Sequence, residues 1–314
     1  QLSAKQVQLD KTITWLGARN FRNQFLAIGK KDNGLMLARG NWEGEVAYHF
    51  CAGNSTTVNR TVLTSDSRFT NRVLLYTDSY FGIKTVNLPA TPAFDTALRI
   101  DNPTWFPVNL LGFAHSSSST IMTVSCPGGY FTISFFSENG TLLKTCDCLD
   151  DGKAIQRDVN RPVSGMELIF RKEKYYFFDY NQLFCFDESG KTEILKLDSE
   201  ILFMACTPHH SPLRLIVSTY RGTTIIDPET FKPDEPLAYF ADGFIGNGVY
   251  YIAENFVVIT ANKEARIYQI AEKPQYVRSI IMEENILNVL LTPRQNHCAI
   301  LEANGKITVH QLGA

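Results

Sequence analysis

The feature that most constrains this chain is a repeated hairpin. Short segments rich in β-branched and aromatic residues recur: Phe25–Ile28, Val73–Tyr76, Ile121–Ser125, Tyr175–Phe178, Leu215–Thr219, Phe256–Thr260 and Ala299–Leu301. Each is followed by a tight-turn signal and a second segment of the same character. The turns read Asp32-Asn33-Gly34, Phe81-Gly82, Gly128-Gly129, Tyr180-Asn181, Arg221-Gly222, Asn262-Lys263 and Asn304-Gly305. Gly and Asn tolerate the positive φ that the favoured hairpin turns require. Period-2 patterning is nearly everywhere and helical periodicity nearly nowhere, so the chain reads as all-β.

The seven hairpins recur at about 40 to 53 residues, close to the spacing of four-stranded propeller blades. Two copies align well. Ile201–Asp227 reads ILFMACTPHHSPLRLIVSTYRGTTIID, and Ile286–Leu312 reads ILNVLLTPRQNHCAILEANGKITVHQL. Both run strand, Thr-Pro turn, strand, glycine turn, strand. The blades fall at 11–53, 54–101, 102–148, 149–199, 200–242, 243–283 and 284–312. In the first six a fourth strand follows the hairpin: Glu45–Cys51, Phe94–Ile100, Thr141–Cys146, Thr192–Leu197, Pro236–Phe240 and Tyr276–Met282. The last blade lacks one, and residues 4–9 are a spare strand that would complete it and remove an exposed edge. No Pro/Ser-rich or charged linker interrupts the repeat. The expectation is one domain over 1–314, a seven-bladed β-propeller closed by its N-terminal strand.

Thr292-Pro293-Arg294-Gln295 and Thr207-Pro208-His209-His210 are similar to the Ser-Pro-Asp-Gly turn of WD40-like propellers. Gly305-Lys306-Ile307-Thr308-Val309-His310 is similar to that family's third strand, which normally ends in Trp-Asp. On these residues the chain resembles the WD40-like seven-bladed propellers over nearly its whole length. The Trp-Asp pair is absent from every blade, as is the Gly-His pair before the first strand. The family's internal hydrogen-bond network therefore transfers to no residue here.

Charge excludes some partners. Thirty Lys+Arg against 32 Asp+Glu, a formal net charge of −2, give no basic field for nucleic acid. Plentiful Phe and Tyr argue against disorder. No apolar run approaches the roughly 18 residues of a membrane helix. The chain starts at Gln1 without a basic or apolar leader, which reads as a processed end or a cut from a longer protein. Seven scattered cysteines, an odd number, read as buried free thiols in a reducing compartment. The sequons at Asn54, Asn59 and Asn139 read as chance. The expected location is intracellular, cytoplasmic or nuclear.

Catalytic patterns are weak. Cys206, His209 and His210 form C-x-x-H-H, and Cys146 and Cys148 form C-x-C, but no second ligand pair matches either, so no metal is expected. The Ser116–Ser119 run reads as a solvated loop, and Cys126 beside Gly128-Gly129 has no neighbouring base. The Ser-x-Asp-x-Gly boxes of sialidase-like propellers are missing, and three tryptophans are too few for a quinone-dehydrogenase repeat. No cofactor and no catalytic residue are assigned.

Binding is the remaining reading: a non-enzymatic interaction scaffold or substrate-recruiting subunit of a multiprotein assembly, taking a peptide or partner loop on the tunnel face. In the family's geometry, second-to-third strand turns and inter-blade connections share that face. There we place Tyr80, Phe81, Trp105, Phe106, Arg157, Arg161, Tyr180 and Arg221 as partner-binding residues, since aromatics and Arg dominate interface hot spots. The connection 149–164 is the longest interruption and the first place to expect a partner. A second insertion, 227–236, carries three prolines that should keep it from pairing, and belongs on the opposite face. The alternatives are a propeller hydrolase or lyase with polar residues converging at the channel mouth, and a small-molecule or sugar-binding propeller.

Overall fold

Among the described residues strand accounts for about 62% and helix for almost none, which makes the protein all-β. This computed structural model describes all residues except 1–5, 33, 52–60, 66–71, 78–81, 88–98, 101–108, 118, 164–167, 210, 234–238, 242, 254, 272 and 314. After β1 (Gln6–Gln8) come β2 (Thr14–Phe21), β3 (Gln24–Lys31), β4 (Gly34–Gly40) and β5 (Val46–Cys51), then β6 (Thr61–Ser65), β7 (Arg72–Thr77), β8 (Gly82–Asn87) and β9 (Arg99–Ile100). The third group is β10 (Leu110–His115), β11 (Thr120–Ser125), β12 (Thr132–Ser137) and β13 (Leu142–Asp147), followed by a small hairpin, β14 (Leu149–Asp150) and β15 (Lys153–Ala154). Next are β16 (Ile169–Arg171), β17 (Lys174–Asp179), β18 (Gln182–Phe186) and β19 (Thr192–Lys196), then β20 (Ile201–Cys206), β21 (Leu215–Thr219), β22 (Gly222–Asp227) and β23 (Lys232–Pro233). The chain ends with β24 (Gly248–Ala253), β25 (Phe256–Ala261), β26 (Glu264–Ile270), β27 (Pro274–Ile281), β28 (Ile286–Leu291), β29 (His297–Glu302) and β30 (Lys306–Gln311).

Each group of four pairs in sequence order as an antiparallel sheet, and β1 joins β28–β30 as the outer strand of the last. Its register is Gln6↔Thr308, Val7↔Ile307 and Gln8↔Lys306. The repeated blades make the protein a β-propeller. Six blades are counted, against the seven expected. Of the expected outer strand 94–100 in the sheet β6–β9, residues 94–98 lie outside the described residues, as do this sheet's side chains apart from Ile83. Its backbone follows the four-strand order, with β6 beside β2 and β10.

The core sits between sheets rather than inside any one of them. Ile83 packs on Phe113; Phe131 and Phe135 meet Tyr175, Phe177 and Phe184; Tyr176 and Leu183 meet Leu215 and Val217. Ile216 meets Val257 and Ile259, Ile267 meets Ile300, and Leu301 meets Ala27. Sheets covered on both faces need apolar residues at consecutive positions, not at alternate ones. Leu215–Thr219 is buried throughout, as are five of six positions in β11, β17 and β29. Strict alternation therefore fails in the second strands of the blades, and their continuous apolar runs are the better signal.

A second regularity shapes the inner strands. In four sheets the register slips by one residue at the same point, between Trp15/Gly17, Leu110/Gly112, Ile201/Phe203 and Ile286/Asn288. The skipped residue is leucine every time: Leu16, Leu111, Leu202 and Leu287. Such bulges add local twist to the first strand of each of these sheets. Close approach follows: a Cβ on Gly17 would come within 2.9 Å of Asn288 Oδ1, which accepts a hydrogen bond from Ala18 N–H at 2.8 Å. Asn20 adds a reciprocal stitch to β28, its Nδ2 donating to Leu291 O and its Oδ1 accepting from Leu291 N–H.

Two local expectations are corrected. The outer strand of the fifth sheet is Lys232–Pro233, paired with Ile226 and Asp227; of the expected strand 236–240, residues 236–238 lie outside the described residues and Phe240 bridges to Thr223. Proline is tolerated because this is an edge, where its missing N–H faces away from the partner strand. The connection 149–164 is not an open loop over its first part. It folds as the β14–β15 hairpin, and Arg157 N–H donates to Gly129 O at 2.7 Å.

The thiols are held neutral. Burial pushes Cys148 and Cys298 up to about 12 from an ordinary 9, because a thiolate would lose its water. A proton bound more tightly in the folded state makes stability fall once pH passes the unfolded value. The melting temperature is therefore expected to hold to about pH 9 and to decline steadily toward about 12. In the native state, alkylation of both thiols at neutral pH should be slow until denaturant is added. Rapid native labelling of either cysteine, read by mass spectrometry, would contradict this.

Candidate functional site

Second-to-third strand turns and inter-blade connections do share one face, and hydrogen bonds fix them together. Ile201 N–H donates to Tyr180 O at 2.7 Å and Leu197 N–H to Asn181 O at 2.8 Å. Two sheets later the same pair recurs: Ile286 N–H to Asn262 O and Met282 N–H to Lys263 O. Tyr180 and Asn262 both take positive φ, 56° and 52°. The turn carbonyls thus receive N–H groups from the next connection, and side chains at the turn are left pointing outward.

Three consecutive turns of this kind each carry an exposed tyrosine: Tyr130 (45% exposed), Tyr180 (43%) and Tyr220 (53%). Val159 and Ile245, on adjoining connections, are also exposed. Single exposed apolar residues are ordinary, but a tyrosine repeated at one turn of three successive blades forms a row.

Arg221, beside Tyr220, pairs with Asp198 from the preceding connection, and its guanidinium lies 5.2 Å from the Tyr239 ring centroid. Tyr239 Oη donates to Asp198 Oδ1 at 2.6 Å. That bond, then the charge of Arg221, holds the Asp198 carboxyl below its usual range. Burial, then the same bond, pushes the Tyr239 phenol up to about 12. Arg161 stacks over Tyr180, 4.4 Å from its centroid.

Arg157, expected at the surface, is instead only 6% exposed. Its Nε and Nη2 grip both oxygens of Asp179, at 3.0 and 3.1 Å, in the two-pronged geometry that Arg alone provides. Its remaining donors reach Asp158 O, Arg161 O and Pro162 O at 3.3–3.4 Å. Arg157 therefore holds the loop that displays Arg161 and makes no contact a partner could use. The reason is local: Gly129 O and Asp179 both sit at turns of this face, and the β14–β15 hairpin returns the chain between them.

Of the residues expected to bind a partner, the structure brings Arg161 and Tyr180 together, places Arg221 one turn further on and Arg157 beneath. Tyr80, Phe81, Trp105 and Phe106 lie outside the described residues. Sequence reasoning missed Tyr130, Asp198, Tyr220 and Tyr239. Tyr130 and Tyr220 were findable by asking which residue type recurs beside the hairpin turns. Asp198 and Tyr239 carried no signal, since their pairing depends on how two connections meet.

The opposite face holds a shallow groove of about 220 Å³, lined by Ser116, Ser117, Thr120, Phe135, Lys144 and Glu188. Lys144 is engaged there, its Nζ donating to Glu188 O at 2.8 Å. Among the described residues, no three His, Cys, Asp or Glu converge as a metal site, and no helix is long and apolar enough to cross a membrane. Cys126 is buried, and burial raises its thiol. Compared with known proteins, the chain matches no family model, and no curated sequence matches it.

Proposed function

We propose that this β-propeller is a non-enzymatic interaction scaffold or substrate-recruiting subunit of an intracellular assembly, capturing a peptide or partner loop on the tyrosine-bearing face. The observation that carries this reading is the row Tyr130, Tyr180 and Tyr220, exposed at equivalent turns of three successive blades. Tyrosines on rigid turns present large amphipathic surfaces and lose little entropy on binding. Among the described residues, Cys126, Cys148, Cys185 and Cys298 are buried thiols outside any disulfide, which fits a reducing compartment.

The test is affinity purification from native lysate with mass spectrometry. It compares the intact chain with a variant carrying Tyr130→Ala, Tyr180→Ala and Tyr220→Ala. Because all three are exposed, melting should change little, while a stoichiometric partner should be lost. A partner retained by the variant moves the site off this face. No partner in either sample would sink the scaffold reading.

A further inference from the structure

The face contains one Arg/Tyr arrangement twice. At the first copy a carboxylate is present: Asp198 accepts from Arg221 and from Tyr239 Oη while Arg221 lies over the Tyr239 ring. At the second copy, Arg161 lies over the Tyr180 ring at 4.4 Å, and among the described residues no carboxylate pairs with it. The nearest acid in sequence, Asp158, is turned back to accept from Asn160 N–H at 3.0 Å. A guanidinium stacked on an aromatic ring keeps its in-plane donors at the edge, the geometry that suits a carboxylate. Arg161 is also pre-positioned. Its N–H donates to Asp158 O, its carbonyl accepts from buried Arg157, and Arg157 is clamped by Asp179.

We infer that the Arg161–Tyr180 pair is a docking site for a carboxylate side chain, the Asp or Glu of a bound peptide, which takes the place that Asp198 takes beside Arg221. The inference rests on the reading of this face as a docking surface and names the chemistry of what docks. Exposed Val159 and the flanking Tyr130 and Tyr220 favour an acidic residue set among apolar or aromatic ones. The specificity comes from one charge-assisted contact fixed within an otherwise sequence-tolerant row of rings.

The probe is a display library of random short peptides, panned on the immobilised whole chain, with selected peptides then titrated as fluorescent ligands. Selected sequences should share an Asp or Glu beside apolar residues. Changing that acid to its amide, or Arg161→Ala, should each weaken binding about tenfold, and the two together little more than either alone. Arg161→Lys should recover only part, and raising salt should weaken the wild type more than Arg161→Ala. Unchanged melting of the Arg161 variants separates lost contact from lost fold. Selected peptides that lack an acid, or whose acid is indifferent to Arg161, would overturn the carboxylate site. If those peptides still depended on Tyr130 and Tyr220, the docking face itself would stand. A library that yields no binder would overturn both.

Discussion

Replacing Arg157 by alanine is expected to cost about 3–5 kcal/mol of folding free energy, the cost of leaving a buried charge unpaired. Both partners are almost sealed, with side chains 4% and 5% exposed, so solvent offers Asp179 little compensation. The loss should appear as a lower midpoint in urea at unchanged slope. Asp179→Ala should be similarly damaging. The double variant Arg157→Met, Asp179→Leu should recover much of the loss, because a well-packed apolar pair carries no desolvation penalty. Its loop would still have lost the donors to Asp158, Arg161 and Pro162, so this variant should fold but bind peptide poorly. A single variant as stable as wild type would show that the pair contributes nothing.

Removing residues 1–9 is expected to have the other large effect. That segment supplies the outer strand beside β30, buries Val7 and Leu9, and ties Leu9 N–H to Gly305 O at 2.9 Å. The exposed β30 edge would then invite pairing with other chains. Leu9→Ala alone, at a side chain with no exposure, should cost about 2–5 kcal/mol. Truncation should cost more and produce aggregation on heating. Adding a synthetic peptide of residues 1–12 in trans should restore melting in proportion to its concentration. A truncated chain that melts as the whole one does would mean that the ring is held elsewhere.

Legibility followed the range of the interactions involved. The hairpin turns were readable because Gly-containing and Asn-containing pairs act within two residues. The closing strand 4–9 was readable from an arithmetic remainder, one sheet short of a strand and one strand without a sheet. The fifth sheet's outer strand was misplaced because edge strands need little apolar pattern, and three prolines there looked prohibitive. The blade count was overread because seven turn signals were taken as seven blades. A turn signal acts within one hairpin and says nothing of how a sheet packs.

The candidate face divides the same way. Arg161, Tyr180 and Arg221 stood out because they flank turns, and the repeat alone places turns on one face. Arg157 looked identical to Arg161 in a polar segment, yet one is buried and the other only half-buried. Four residues of separation on a connecting loop have no periodicity from which orientation could be read. By itself the sequence determined an all-β repeat of hairpins, the turns that join them and the N-terminal strand that completes the last sheet, because each rests on local backbone preference or on pairing arithmetic. Only the tertiary structure decided which guanidinium is clamped beneath the loop and which stands over a tyrosine ring with no carboxylate paired to it among the described residues. Those placements depend on contacts between blades, where burial and charge pairing act over chain separations that no local pattern encodes.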